Sequence, residues 1–431
     1  MSQPQAISAA AAVTAGINPT ELPRMRRRMQ WVLVAASALG STGYLAAVTV
    51  GTLVAAEMTG GPALGGLPTA TLTIGTATAA TLLSGLMLRV GRRPGWLGGL
   101  AIGLLGALIA LIAVVLGSIL LLLLGSFLAG FASATINLSR YVSADLVAPE
   151  RRASAVGIVV WGSAVGAVLG PNLIGPGGII AVAVGLPTLS GPYVLAAIFL
   201  AVTLVMGFVL LRPEPYALAH PSAMELGPAG MDSPSALTLL RRPSVLVALV
   251  TLVAGQVVMV LIMTMTPLHL IDNGHGLGTV GFVLSAHTFG MFALSPISGR
   301  LTDRFGSPAI IGLGLGMLGL AAFLSAVAPV DGGLLLTLAL FLLGYGWNLG
   351  FVAGSAMLTH GLALGERTRV QGITDTLIWS SASAASLLSG VIVAGASYTA
   401  LGFLGIALLA APALLLGFRG ASSTNCAVRN G

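Results

Sequence analysis

Residues 299–306 read GRLTDRFG, a short charged stretch between two long apolar runs. The run before it covers about residues 279–298, and the run after it covers about residues 308–328. Each is long enough to cross a bilayer, which takes roughly 20 predominantly apolar residues. Arginine confined to a short loop between two such runs is typical of a membrane protein. The stretch therefore indicates a loop between two transmembrane helices.

A related stretch occurs in the first half of the chain. Residues 85–93 read GLMLRVGRR and follow the second apolar run, just as 299–306 follow the eighth. PERR at 149–152 similarly corresponds to GERTR at 365–369. Both pairs are separated by about 215 residues, half of the chain, which is typical of transporters built from internal repeats. The repeat predicts two related helical bundles with a substrate site near the bilayer midplane between them.

Composition extends the membrane interpretation to the whole chain. Of the 431 residues, 56% are hydrophobic and 7% are charged, whereas soluble domains have about 25% charged residues. All 19 basic residues are arginine, and they cluster at the two termini and in every even-numbered loop. This bias predicts twelve spans with both termini in the cytoplasm. The runs lie at about 30–55, 67–88, 96–115, 118–139, 153–175, 192–211, 244–271, 279–298, 308–328, 333–358, 370–396 and 398–418.

These runs divide the chain into five parts: a cytoplasmic tail at 1–29, a six-helix bundle at 30–211, a cytoplasmic linker at 212–243, a second bundle at 244–418 and a tail at 419–431. The arginine clusters lie between spans, so we expect no nucleic-acid partner. No catalytic grouping, His-x-x-x-His or Cys-x-x-Cys spacing, or nucleotide-binding loop occurs, so neither an enzyme nor a cofactor is expected. The single cysteine, Cys426, excludes an intrachain disulfide.

GRLTDRFG resembles the loop motif Gly-x-Leu-x-Asp-Arg-x-Gly of the major facilitator superfamily, and 85–93 resembles its degenerate copy. The resemblance covers roughly residues 30–420. It implies an all-α membrane fold with twelve transmembrane helices in two pseudo-symmetric halves, and transport by alternating access. It also implies a conformational lock in which Asp303 and Arg304 pair with helix ends, framed by Gly299 and Gly306. In the first copy Leu88 occupies the place of the acid, so that copy lacks the acid of such a lock.

Spans 7 and 8 contain a candidate metal site. Met259 and Met263 are spaced i, i+4 in span 7, and His287 and Met291 have the same spacing in span 8, so each pair shares one helix face. Counting inward from opposite ends, Met259 and His287 lie at similar depth. Thioether and imidazole groups suit Cu(I). Pro267 is expected to kink span 7. Packing is the alternative role for each methionine.

Met-x-x-x-Met followed by His-x-x-x-Met resembles the metal-binding signature of the CcoA-type bacterial copper importers. The resemblance implies that Met259, Met263, His287 and Met291 hold copper, as Cu(I), and that the ion is the transported substrate. It further implies a monomer in the bacterial inner membrane that passes copper to a cytoplasmic acceptor for cytochrome oxidase assembly. Accessory or entrance positions for the metal follow in span 7 and the loop after it: Met265, His269 and His275.

Other features leave alternatives open. His287 and Asp375 are candidates for proton coupling, although Asp375 near the start of span 11 is favoured as a residue that extends to the membrane surface. Asn137 and Arg140 are expected to anchor the end of span 4. The glycine-rich stretch 157–175 resembles that of drug–proton antiporters, so a proton-coupled exporter of small organic compounds is the alternative function. A membrane sensor is disfavoured because the chain offers no sizeable soluble domain.

Overall fold

A computed structural model of the chain describes residues 21–59, 67–214, 235–275, 277–329 and 333–429. Most of the predicted N-terminal tail and most of the predicted linker at 212–243 lie outside these residues. The described residues are helical almost throughout.

The first half of the chain contains helices α1 to α7. Two short 3₁₀ turns, Pro149–Arg151 and Thr188–Ser190, precede α5 and α7. The helices are α1 Leu22–Thr59, α2 Leu67–Val90, α3 Arg92–Leu116, α4 Ile119–Asp145, α5 Arg152–Asn172, α6 Ile174–Ala183 and α7 Gly191–Leu210.

The second half begins with a short helix, α8, capped by the hydroxyl of Ser235 and followed at once by α9. Its helices are α8 Ala236–Leu240, α9 Pro243–Asp272, α10 Leu277–Phe292, α11 Ser295–Phe305, α12 Ser307–Val327, α13 Gly333–Met357, α14 Leu364–Gly395 and α15 Tyr398–Arg429.

Ten helical segments among the described residues are long and apolar enough to cross a membrane. The two further predicted spans correspond to α1 and to the pair α10 and α11. The all-helical fold predicted from the sequence is therefore confirmed, and ten of the twelve predicted spans meet these criteria among the described residues. The eighth span consists of two helices, α10 and α11, whereas α6 is a shorter apolar helix that follows the fifth span.

Small residues allow the membrane helices to pack closely. A Cβ added at Gly125 in α4 would lie 2.6 Å from the backbone nitrogen of Ala110 in α3. Large apolar side chains instead cover the outer surface; Leu120 is 76% exposed and Leu334 is 82% exposed. Membrane helices associate through such small-residue faces because apolar burial alone gives no advantage over lipid.

Contacts between Cα atoms divide the chain into two compact units. One unit holds α1 to α7 together with Ala363–Trp379, which includes the first half of α14. The other begins at Ser235, runs to Leu362 and resumes at Ser380. The boundary in α14 thus falls inside a continuous helix and inside the predicted second bundle at 244–418.

Candidate functional site

His287 lies in α10 and is 1% exposed. Its Nδ1 is 2.9 Å from the carbonyl oxygen of Leu340 in α13. A carbonyl only accepts hydrogen bonds, so Nδ1 carries the ring proton and donates it. Nε2 is buried and has no hydrogen-bond partner among the described residues. The ring therefore presents one unshared lone pair, which is the form in which a neutral imidazole binds a metal ion.

Two glycines determine how closely α10 and α13 approach around this ring. A Cβ at Gly344 in α13 would overlap the backbone carbonyl of His287. A Cβ at Gly290 in α10 would lie 2.5 Å from the carbonyl oxygen of Phe341. The helices pack backbone to backbone at this point, so the imidazole can reach the Leu340 carbonyl directly.

The eighth span is discontinuous immediately after Met291 and Phe292. Pro296 has no N–H, and the Phe292 carbonyl accepts instead from the hydroxyl of Ser295 at 2.8 Å. The amide of Asn348 in α13, fully buried, donates to the Met291 carbonyl at 2.7 Å and to the Ser295 oxygen at 2.6 Å. A broken helix is tolerated at membrane depth where neighbouring groups satisfy its backbone in this way.

Asn348 also fixes the start of α11, because its amide oxygen accepts from the hydroxyl of Ser298 at 2.6 Å. No role for Asn348 was predicted from the sequence. Its signal was present, since an amide in an otherwise apolar run requires a partner inside the membrane. The partner could not be identified because it lies about 50 residues away in the chain.

The methionines of the seventh span lie in α9. Met259 is 4% exposed, and Met263 is partly buried. Helix α9 packs mainly against α13 and α15 and contacts α10 little. No hydrogen bond among the described residues joins His287 to Met259 or Met263. The structure thus places His287 and Met291 together on α10 against α13, and the methionine pair separately on α9.

The expected irregularity at Pro267 is not a break. Helix α9 runs continuously from Pro243 to Asp272 through this proline. The discontinuity lies in the eighth span instead, where the freed carbonyls have side-chain donors. The described residues contain no group of three or more His, Cys, Asp or Glu side chains that could hold a metal ion, so a metal site here would depend on thioether ligands.

The accessory positions lie elsewhere in the same unit. The ring of His269 stacks on Tyr398 of α15, with centroids 4.1 Å apart and planes at 11°. Met265 lies near Gly390 in the second half of α14, and His275 lies near Gly333 at the start of α13. These contacts give His269 a packing role and do not bring the three residues to His287.

The predicted lock lies at the junction of α11 and α12. Gly306 joins the helices with φ of +84°, a conformation that requires glycine. Gly299 is buried, Asp303 is partly buried, and Arg304 is exposed with its guanidinium 5.2 Å from the centre of the Phe305 ring. The role of these residues as a conformational lock stays a prediction.

The first copy of the motif has an acid from another helix. Gly91 has φ of +100°, and the Arg92 side chain is 1% exposed. Arg92 donates from Nη2 to Asp145 of α4 at 2.8 Å and to the amide oxygen of Gln371 at 3.0 Å. This copy of the motif therefore has an ion pair, although Leu88 occupies the position of the acid.

The position of Asp375 corrects the sequence interpretation. The residue is 1% exposed, and its Oδ1 accepts from Arg140 at 2.6 Å and from the Tyr141 hydroxyl at 3.1 Å. Asp375 is thus not an end residue that extends to the membrane surface, and Arg140 is not a surface anchor. Because α14 begins at Leu364, six residues before the predicted span, Asp375 lies three turns inside the helix.

Comparisons with known proteins agree on the kind of protein that has this fold. A sequence model of the Major Facilitator Superfamily matches residues 31–385. YdeG of Bacillus subtilis (strain 168), named an uncharacterized MFS-type transporter, is 38% identical over 392 residues, covering 90% of this chain and 91% of YdeG. RfnT of Brucella anthropi, named a riboflavin transporter, is 28% identical over 379 residues, covering 88% and 92%.

Solved structures of low sequence identity share the fold. The human organic anion transporter MFSD10 superposes with a TM-score of 0.70 at 19% identity, covering 91% of this chain and 99% of that protein. A bacterial homologue of the iron transporter ferroportin gives the same TM-score at 15% identity, with the same coverage of both chains.

Proposed function

We propose a function from the premise that this chain belongs to the Major Facilitator Superfamily. It is therefore a multi-pass membrane protein and a secondary transporter, not an enzyme. We propose that its substrate is copper, as Cu(I), carried into the cytoplasm by alternating access. The proposed location is the bacterial inner membrane with both termini cytoplasmic, and the proposed active form is a monomer that supplies copper for cytochrome oxidase assembly through a cytoplasmic acceptor.

The observation that carries the proposal is the buried Nε2 of His287. A polar ring inside a membrane helix is costly unless both nitrogens have partners. Leu340 partners Nδ1, and Nε2 has no partner among the described residues. A transported metal ion would be the missing partner of Nε2. The hydrogen bond from Nδ1 to the Leu340 carbonyl holds the ring in the tautomer whose Nε2 can bind a metal ion.

Three thioethers complete the proposed ligand set. Met291 lies one turn after His287 in the last turn of α10, and Met259 and Met263 lie one turn apart in α9. Thioethers are soft neutral ligands that favour Cu(I) over harder divalent ions. In our proposal the α9 and α10 pairs converge on the ion during transport. A set without thiolate binds moderately, as a carrier that must release its cargo requires.

The test is uptake of radiolabelled copper by cells producing the parent protein or single alanine variants. We expect Met263→Ala and His287→Ala to abolish the uptake above background, because a small set cannot lose a ligand without losing most of its affinity. Met265→Ala is the matched control, since Met265 lies near Gly390, and it should retain uptake. Equal uptake by the parent and the His287→Ala variant, at equal protein level, contradicts copper transport.

The second candidate substrate is a small organic compound, moved in either direction. The likeness to a riboflavin transporter favours it. The ring of Trp347 lies 4.5 Å from that of Phe351 at 19°, and its Nε1 donates to Gln256 at 2.9 Å. Stacked rings beside an amide suit a planar heteroaromatic molecule. Riboflavin uptake that fails in Trp347→Ala and persists in His287→Ala would identify this substrate instead of copper.

The glycine-rich stretch that resembles antiporters has a packing explanation. A Cβ at Gly166 in α5 would lie 2.6 Å from the Cβ of Ser41 in α1, and one at Gly170 would lie 2.8 Å from the Cβ of Leu45. The glycines thus permit close contact between α1 and α5. This contact requires no particular direction of transport, so the stretch does not favour export.

A further inference from the structure

The first half of α14 contains a buried carboxylate that the copper proposal does not use. Oδ1 of Asp375 accepts both of the hydrogen bonds that the residue receives, from Arg140 and Tyr141 of α4. Oδ2 is buried and has no hydrogen-bond partner among the described residues. One carboxylate oxygen therefore bonds to the arginine and the tyrosine, and the other is buried without a hydrogen-bond partner among the described residues.

Arg140 is fixed on the side away from Asp375. Its Nη1 donates to the Asn137 carbonyl at 2.7 Å, and its guanidinium lies 4.2 Å from the centre of the Tyr141 ring. An arginine stays protonated at any physiological pH, and a tyrosine stays neutral. Within this trio, Asp375 is therefore the group whose charge can change.

A second cluster of charged groups lies about two turns nearer the start of α14, at Arg367. There Arg92 of α3 pairs with Asp145 of α4, and Nη1 of Arg367 lies 3.9 Å from the same carboxylate. Arg152 also interacts electrostatically with Asp145, so three arginines surround this carboxylate. Helix α2 has no titratable side chain before Arg89 and contributes the hydroxyls of Thr81 and Ser84.

Hydrogen bonds and close packing join the 363–379 segment to α2 as well. The hydroxyl oxygens of Thr81 and Thr376 are 2.6 Å apart. A Cβ at Gly372 would overlap Ser84, so the helices approach to backbone distance. The segment is thus held at Asp375, at Gln371 and at Thr376, and the first of these contacts depends on the charge of a carboxylate.

We propose that Asp375 is a proton-binding site that couples transport to a proton. While the 363–379 segment packs on α4, Arg140 neutralises the carboxylate. When the segment separates from α4 during transport, the carboxylate loses its counter-ion three turns inside a membrane helix. A proton from water then binds Oδ2 and forms a neutral carboxylic acid, and return of the segment to Arg140 releases that proton to water. Proton binding and segment separation are therefore linked, each favouring the other.

The inference rests on membership of a transporter family and does not depend on copper as the substrate. Its test is a cross-link between Thr81→Cys and Thr376→Cys in a Cys426→Ser background, formed in membranes with a short bifunctional thiol reagent and no copper. We expect cross-linking several-fold faster in this parent than in the same protein with Asp375→Asn at pH 8, and nearly equal at pH 5.5. Comparison with Asp375→Asn at each pH removes the pH dependence of the thiols themselves.

Asp145→Asn is the matched control, because it removes a carboxylate from the second cluster. It should slow cross-linking at every pH. In this background too, the rates with Asp375 and with Asp375→Asn should differ at pH 8 and become nearly equal at pH 5.5. If Asp375→Asn does not fold, the charge-neutral pair Arg140→Gln and Asp375→Asn replaces it as the reference. A ratio of parent to reference that is the same at both pH values overturns the proposal, whatever the result of the copper experiment.

Discussion

The ring of His287 reaches the Leu340 carbonyl because residue 344, one turn further along α13, has no side chain. Any Cβ there would overlap the His287 carbonyl, so the backbones of α10 and α13 could not keep their present distance. A glycine in a membrane helix is ordinary in a sequence. Its importance follows from the partner helix, which the sequence around it does not reveal.

At the residue scale we therefore predict that Gly344→Ala destabilises the protein. Forcing a methyl group into a closely packed contact costs about 1–3 kcal/mol, so the thermal unfolding midpoint in detergent should fall. Gly316→Ala in α12 is the control, since a Cβ at Gly316 meets nothing within 4 Å. An unchanged midpoint for Gly344→Ala would show that α10 and α13 do not pack as described.

At the element scale, the eighth span shows what the sequence could and could not predict. Its position follows from an apolar run of sufficient length, because a membrane segment must satisfy its backbone internally. The interruption between α10 and α11 does not follow from that rule. Proline disturbs a helix wherever it occurs, yet α9 continues through Pro267 and the eighth span breaks before Pro296. At the break in the eighth span, the side chains of Ser295 and Asn348 donate hydrogen bonds to the carbonyls that lack a helical N–H donor.

Asn348→Leu should weaken this discontinuous span. The variant leaves the Met291 carbonyl without its donor, and a buried unpaired group costs about 1–3 kcal/mol. We expect faster amide hydrogen exchange in α10 and α11 and a lower unfolding midpoint. Asn172→Leu is the matched control, because the Asn172 amide bonds only within its own helix, to Val168. Equal exchange rates in both variants would exclude a bridging role for Asn348.

At the scale of the whole molecule, the positions of the arginines predicted the number and orientation of the spans, because arginine-rich loops stay on the cytoplasmic side of the membrane. The same rule cannot predict pairs such as Arg140 with Asp375, which are 235 positions apart in the chain. For the candidate copper ligands too, the sequence predicted which residues share a helix face but not which helix packs against them. The spacing placed each pair on one helix face, and the structure adds that His287 and Met291 are held by α13.

The topology itself is testable with single cysteines in a Cys426→Ser background. Val184 follows α6 in an odd-numbered loop and is 64% exposed, and Ser235 lies in the even-numbered loop before α8. We expect an impermeant thiol reagent to label Val184→Cys in intact cells and to label Ser235→Cys only after the cells are broken. The reverse labelling pattern would show that the protein has the opposite orientation in the membrane.

The ion pair of Arg140 and Asp375 also sets an order of events during synthesis. A ribosome adding about 5–20 residues per second makes the acid roughly 10–50 s after the arginine, since 235 positions separate them. Helix α4 must therefore enter the bilayer with a guanidinium whose partner does not yet exist. Until α14 is made, that charge depends on water, lipid phosphate or the insertion machinery, so a chain truncated before α14 should be a preferred substrate for membrane proteases.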